Sequence, residues 1–390
     1  MIGQLERFGD CLFVTTVAKQ IKKDFPGSHI TWAVRPSYKS ILELNPFVDE
    51  IWEFNEGSRE EGWLDFENEA LRRQSSGIYD ELILTQMIGK NWARFDGTIR
   101  SSLLRGYGRP ITVPVDPVIR LSESEVEKVK SFALKCNLGS FKNVILFECA
   151  PGSGQSSMNV EFALQIAKKT TLKNSDTCFI FSGPKPMGVL SPRIFDASAL
   201  TFRENAELTK YSTLLVGCSS GITWLCSSDW AKKINTIQLI DENYGIFSGV
   251  AYDHELWGLG FDHILEISDK KKESLVEILD VALIKGFSEA KKRYHCIFRP
   301  APNCLKAAVR QLWKHDCRFG SYKKVFFATL QQNKHFNFLP LLGVYIWYFL
   351  TDSYTRRIEK YFRKKRNSLK NDQESNNLRD IKREEGLNNV

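Results

Sequence analysis

The strongest constraint on the fold is an alternation that the chain repeats twice. Short apolar runs, each about the length of one strand, are separated by stretches of helical periodicity. The first series covers Met1 to Leu84. A periodic stretch from about Cys11 to Lys23 stops at Pro26-Gly27, and the run His29 to Val34 follows. A short helical segment, Lys39 to Leu44, ends at Asn45-Pro46, and strands are predicted at Glu50 to Phe54 and Tyr79 to Leu84. The second series opens near Lys142. Strands are predicted at Val144 to Phe147, Cys178 to Phe181, Thr213 to Val216 and Thr236 to Ile240. Helices are predicted at Asn159 to Lys169, Glu204 to Lys210 and onward from Gly221. Runs that are apolar throughout suit parallel strands buried on both faces. The alternation therefore predicts an α/β protein with two doubly wound, Rossmann-like domains facing a cleft, followed by a C-terminal helical extension.

A chain of 390 residues exceeds what one core usually serves, which agrees with two domains. The expected divisions are 1–120, 121–300, a helical extension over 301–370 and a disordered polar tail over 371–390. Val113 to Pro117 and the charged helix Ser122 to Lys135 read as the link between the halves. The first strand is unusually short, since only Met1, Ile2 and Leu5 are apolar before Gly9-Asp10. The net charge of +8 is concentrated between Arg356 and Lys370. That is a local basic patch and gives no reason to expect nucleic-acid binding. The nine cysteines are scattered and form no C-x-x-C pair, so buried small hydrophobes in a reducing compartment are expected. Met1 to Asp10 lacks a charged-then-apolar leader, and the cytoplasm is the expected location.

Three segments could carry chemistry. Gly9-Asp10, with Thr15 and Thr16 beyond it, lies at a predicted strand-to-helix turn. There glycine allows close backbone approach, and a carboxylate could face a cleft as a general base. A plain helix N-cap explains the same aspartate. Ser153-Gly154-Gln155-Ser156, after the strand ending at Glu148, offers small residues and hydroxyls to phosphate oxygens, as does Gly183 after the next strand. It is neither a Walker loop nor a complete G-x-G-x-x-G. Ser219-Ser220-Gly221 with Thr223 repeats the strand, small-residue turn and helix start. A surface turn and a capped helix are the bland readings of these two. Gly217-Cys218-Ser219-Ser220-Gly221 also matches the G-x-S-x-G elbow of serine hydrolases. Asp253-His254 or Asp262-His263 could then complete a triad, although no glycine-rich oxyanion loop accompanies it. No metal-binding spacing of His, Cys, Asp or Glu occurs, so no metal and no cofactor is expected.

Taken together these landmarks resemble the ADP-heptose–lipopolysaccharide heptosyltransferases of glycosyltransferase family nine. The resemblance covers roughly Met1 to Ile240. Gly9-Asp10, Thr15-Thr16, Phe25-Pro26-Gly27, the strand Ile30 to Val34, Asn45 to Ile51 and Tyr79-Asp80 follow that family's order. It implies the GT-B architecture of two Rossmann-like domains, with acceptor held by the front half and nucleotide-sugar donor by the rear. It also implies a metal-independent inverting transfer in which Asp10 is the base, Gly9, Thr15 and Thr16 lie on the acceptor side, and Ser153, Gly154, Gln155, Ser156, Gly183, Ser219, Ser220, Gly221 and Thr223 hold the donor. The rear half departs in detail. Ser219-Ser220-Gly221 and Trp224 stand where the family usually carries Asp-Ser/Thr-Gly and histidine, and Gln155 stands near a position that is commonly basic. The donor sugar is therefore left open, and a non-catalytic sugar-nucleotide or glycan-binding scaffold is the alternative.

Phe336 to Leu350 is apolar and aromatic but shorter than the ~20 residues of a spanning helix. With the basic stretch behind it, it reads as an anchor on an anionic membrane surface, suited to a glycolipid acceptor. A core helix packed back on the domains is the other reading.

Overall fold

The computed structural model describes residues 1–152, 154–188, 191–242, 245–315 and 318–351, and all structural statements concern these. Both series fold as parallel sheets. In the front half, β1 (Ile2–Gly3), β2 (Thr31–Val34), β3 (Glu50–Glu53) and β4 (Ile83–Leu84) lie in the order β3-β2-β1-β4. The two-residue β1 is central: Ile2 pairs with Trp32 on one side and Ile83 on the other. Helices α1 (Phe8–Asp24), α2 (Arg59–Ser75) and α3 (Ile99–Leu104) belong to this half. α4 (Glu123–Lys135) leads to the rear half, its start fixed by a reciprocal capping box between Ser122 and Glu125.

The rear sheet contains β5 (Asn143–Glu148), β6 (Thr177–Ser182), β7 (Ile194–Asp196), β8 (Leu214–Gly217), β9 (Asn235–Ile240) and β10 (Ile264–Ser268), in the order β10-β9-β8-β5-β6-β7. Its helices are α5 (Val160–Lys173), α6 (Glu204–Leu208), α7 (Gly221–Leu225), α8 (Val250–Leu256), α9 (Leu275–Ile284) and α10 (Phe287–Tyr294). Three of the four predicted rear strands fall inside β5, β6 and β9, and the fourth overlaps β8, which begins one residue later than expected. Their side chains alternate between the faces, as the pleat requires. Ile145 and Phe147 pack with Phe179 and Phe181 on one face, and Val144 and Leu146 with Cys178 and Ile180 on the other. Strand order reverses between β5 and β8, so the crevice outside their carboxyl ends is where such a sheet binds ligands.

The halves are tied by reciprocal arginines. Arg203, buried in the rear half, donates to the Ser40 carbonyl at 2.6 Å and to Glu43 Oε2 at 3.0 Å in the front half, and to Glu125 Oε2 at 3.0 Å. Arg100 of α3 reaches the opposite way. Beyond the rear sheet, α11 (Cys304–Lys314), α12 (Phe319–Gln332) and a helix over 338–351 return to the front half. Leu305, Leu312, Phe326, Leu341 and Tyr345 join the core around Trp92 and Phe95, and Lys314 pairs with Glu60. Buried Asn333 links three parts of the chain. Its Nδ2 donates to the carbonyls of Asp96 and Thr329, and its Oδ1 accepts from the Tyr252 hydroxyl. Six of the eight described cysteines are buried and all eight are free; Cys317 lies outside the described residues, as do Arg356 to Lys370 and the expected tail.

Candidate active site between the two sheets

The first correction concerns the start of α1. The helix begins at Phe8, not near Cys11, because Arg7 takes a positive φ of 74° and turns the chain into it. Asp10 is therefore the third helical residue and not an N-cap. Its carboxylate accepts no hydrogen bond from any described residue. It is only partly exposed, and desolvation lifts its pKa from 3.8 to about 6 against the pull of Arg100, Arg7 and Arg59. A carboxylate of that pKa is poised to accept a proton near neutral pH.

The start of α1 abuts the start of α7. A Cβ built on Gly9 would lie 3.4 Å from the Gly221 Cα, so only small residues let the halves approach this closely. Phe8 stacks on Phe202 of the rear half, with ring centroids 4.9 Å apart. Gly9 thus meets the start of α7 across the domain boundary, with Asp10 next to it in α1.

The rear-half candidates divide. Gln155, Ser219 and Arg100 meet at the carboxyl ends of β5 and β8: Arg100 Nη2 donates to Gln155 Oε1 at 2.9 Å and to Ser219 Oγ at 2.7 Å. Gly154 is exposed at φ 73°, a conformation that favours glycine. Ser156 Oγ is held by Asp269 at 2.5 Å, and Ser157 N donates to the same carboxylate. Gly183 is half-buried beside Met187 and Cys149. Ser153 lies outside the described residues. The hydroxyls of Ser220 and Thr223 donate inside the protein, whereas that of Ser219 serves as an acceptor. Ser220 Oγ bonds to buried Glu148, Thr223 Oγ1 donates to Gln238 Oε1 at 2.9 Å, and Ser219 Oγ accepts from Arg100. Thr15 and Thr16 are fully buried and turn toward the linker. Thr15 Oγ1 accepts from Val118 N at 2.7 Å and Thr16 Oγ1 donates to the Asp116 carbonyl.

The hydrolase triad does not assemble. Asp253 accepts from Arg100 and Ser248, and His254 Nδ1 faces the Gly260 carbonyl. Burial moves the His254 pKa down and that of His263 to about 4. No group of three or more His, Cys, Asp or Glu positioned to hold a metal ion occurs among the described residues. Sequence reasoning missed Arg100, whose only local signal is a lone cation between Gly97-Thr98-Ile99 and Ser101-Ser102.

No protein-family model and no curated protein matches the chain. Solved structures do. A family 9 glycosyl transferase from Veillonella parvula aligns over 72% of this chain and 88% of its own, at 15% identity and a TM-score of 0.52. The E. coli ADP-heptose LPS heptosyltransferase II aligns over 73% and 98%, at 11% identity and a TM-score of 0.48. The fold is the two-sheet GT-B fold. Within it, the resemblance to family nine that the landmarks carry holds as a likeness of architecture to the Veillonella structure.

Proposed function

We propose that the chain is a glycosyltransferase, moving a sugar from a nucleotide-sugar donor to a lipopolysaccharide or related surface-glycan acceptor by metal-independent inversion. The observation that carries this is the carboxylate of Asp10. It has no hydrogen-bond partner among the described residues, its pKa is about 6, and it lies where Gly9 meets Gly221 beside the switch point of the rear sheet. Asp10 takes the proton of the acceptor hydroxyl. That oxygen bonds to the anomeric carbon, and the bond from that carbon to the diphosphate breaks on the opposite face, its electron pair leaving with the nucleoside diphosphate. Backbone amides near Gly154 and Gly221 steady the leaving group. The departures at Ser219 and Trp224, the latter buried against Arg100, favour the second reading, a non-catalytic sugar-nucleotide or glycan-binding scaffold. One assay decides between them: donor turnover over a panel of ADP-, UDP-, GDP- and dTDP-sugars. Wild type is expected to turn over one of these, and Asp10→Asn to fold and lose roughly a hundredfold. Turnover unchanged in Asp10→Asn removes Asp10 from the mechanism, and no turnover of any donor leaves the scaffold.

The reading includes docking on an anionic lipid surface from the cytoplasmic side. No described helix is long and apolar enough to cross a membrane. The helix over 338–351 turns Leu341 and Tyr345 inward, while Leu339, Ile346, Trp347 and Leu350 are exposed. That outer stripe carries no charge, and the basic stretch Arg356 to Lys370 follows in sequence. Co-sedimentation with phosphatidylglycerol vesicles is expected, and Leu339→Glu with Trp347→Glu should abolish it. Equal sedimentation of that variant, or equal binding to phosphatidylcholine, overturns the docking.

A further inference from the structure

Arg100 belongs to the front half, yet its terminal nitrogens bond only to the rear half among the described residues. Nη1 donates to Asp253 Oδ2 at 2.6 Å and to the Ser248 carbonyl at 3.2 Å. Nη2 donates to Gln155 Oε1 at 2.9 Å and to the carbonyl and Oγ of Ser219, both at 2.7 Å. The ion pair is sealed, with side-chain exposures of 5% for Arg100 and 0% for Asp253. Trp224 and Phe247 cover the guanidinium at 4.7 and 5.2 Å.

Removing two charges from water offsets most of what their attraction gives, so a buried pair is a weak way merely to join two domains. What it does provide is a fixed, multi-point geometry. Both terminal nitrogens are committed to protein acceptors, which makes the guanidinium a clamp and not a phosphate ligand. Its grip falls on a strained spot: Ser219 holds a positive φ of 53° between β8 and α7. For a residue with a Cβ that conformation persists only where its surroundings enforce it. Arg100 supplies that enforcement on the carbonyl. Gln238 Oε1 supplies it on the Ser219 N–H at 2.8 Å.

We propose that Arg100 is a positioning residue for sugar transfer: it pins the strained Ser219 turn to the front half and so fixes the donor-side loops relative to Asp10. The inference rests on the reading of Asp10 as the base. Three cations act on the Asp10 carboxylate: Arg7 from the turn before α1, Arg59 from the start of α2, and Arg100 from α3, the largest of them. Glu6 is tied to Arg35 and Arg59. The rear half presents Gly221 and Phe202 beside Gly9 and Phe8.

The test uses the full chain and two variants. Arg100→Met with Asp253→Asn removes both charges together, so neither is left orphaned. Arg100→Lys keeps the charge but cannot span Asp253, Gln155 and Ser219 at once. Carbon-13 carboxyl titration of aspartate-labelled protein, with the Asp10 resonance assigned by its loss in Asp10→Asn, needs no substrate. The double variant is expected to fold but melt several degrees below wild type, since the Ser219 and Ser248 carbonyls and Gln155 Oε1 lose a donor, and to show a higher Asp10 midpoint. With the donor that wild type turns over, its kcat should fall at least tenfold, with the acid limb displaced to match. Arg100→Lys should keep the midpoint and lose several-fold in kcat with KM little changed. A folded double variant with the wild-type midpoint and kcat within twofold overturns the proposal, as does wild-type kcat in Arg100→Lys. Failure of the Asp10 reading shows separately, as full turnover in Asp10→Asn.

Discussion

Replacing Asp10 by asparagine is expected to stabilise the fold above pH 6 while it removes activity, because the native protein holds this carboxylate in a place that resists its charge. Burial raises its pKa from 3.8 to about 6. The folded state therefore binds the proton more tightly than the unfolded chain does. The sign follows by linkage: the group's favourable contribution is complete below pH 3.8 and is lost as the pH rises through about 6. At ~1.4 kcal/mol for each tenfold change in proton affinity, the full loss is about 3 kcal/mol. The carboxylate is partly exposed, so water screens part of this and roughly 1–2 kcal/mol is expected. Asparagine has nearly the same shape and no charge to desolvate. Urea unfolding of both proteins at half-unit steps from pH 3.5 to 8 should give matching stabilities at the acid end. The asparagine variant should pull ahead between pH 4 and 6 and hold a constant lead above that. A lead that does not vary with pH, or a less stable variant at pH 8, refutes the account of Asp10 as a desolvated base.

Three further outcomes follow from the same geometry. The kcat of the wild type should fall on the acid side with a midpoint near 6, the value to which desolvation lifts Asp10, and a pH–rate profile checks it. A methyl group on Gly217 would lie 2.6 Å from both Gln238 Nε2 and Thr223 Oγ1, so Gly217→Ala should expel Gln238 from the turn it organises. That orphans buried partners at a cost of about 3 kcal/mol, read as a lower urea midpoint, whereas Gly9→Ala, with ordinary contact distances, should stay within ~1 kcal/mol of wild type. Asn333→Ala leaves the Asp96 carbonyl and the Tyr252 hydroxyl without their buried partner, and a loss of about 3 kcal/mol in urea unfolding is expected.

The rear sheet was legible because its strands are buried on both faces and so are written as unbroken apolar runs, as in Val144 to Phe147. The front sheet was harder to read. β1 is only two residues long and is held by neighbours on both sides, so its own sequence need not be a convincing strand. The start of α1 was missed because Arg7, not a capping side chain, turns the chain into the helix. In the candidate site, residue type was visible but partnership was not. Ser220 and Thr223 look like phosphate donors until Glu148 and Gln238 are seen to take their protons, and Ser219 Oγ proves to be an acceptor for Arg100. The role of Arg100 was hidden because its acceptors lie 55, 119 and 153 positions away along the chain.

The two buried arginines cross the domain boundary in opposite directions, Arg100 into the rear half and Arg203 into the front. Each half is thus built around a plug that the other provides. A hybrid made by grafting a foreign rear half onto this front half would inherit Arg100 with no Asp253 to receive it. It would also lose the cation that Glu43 awaits. To recombine specificity in this scaffold, both plugs and both sockets have to be exchanged as matched sets.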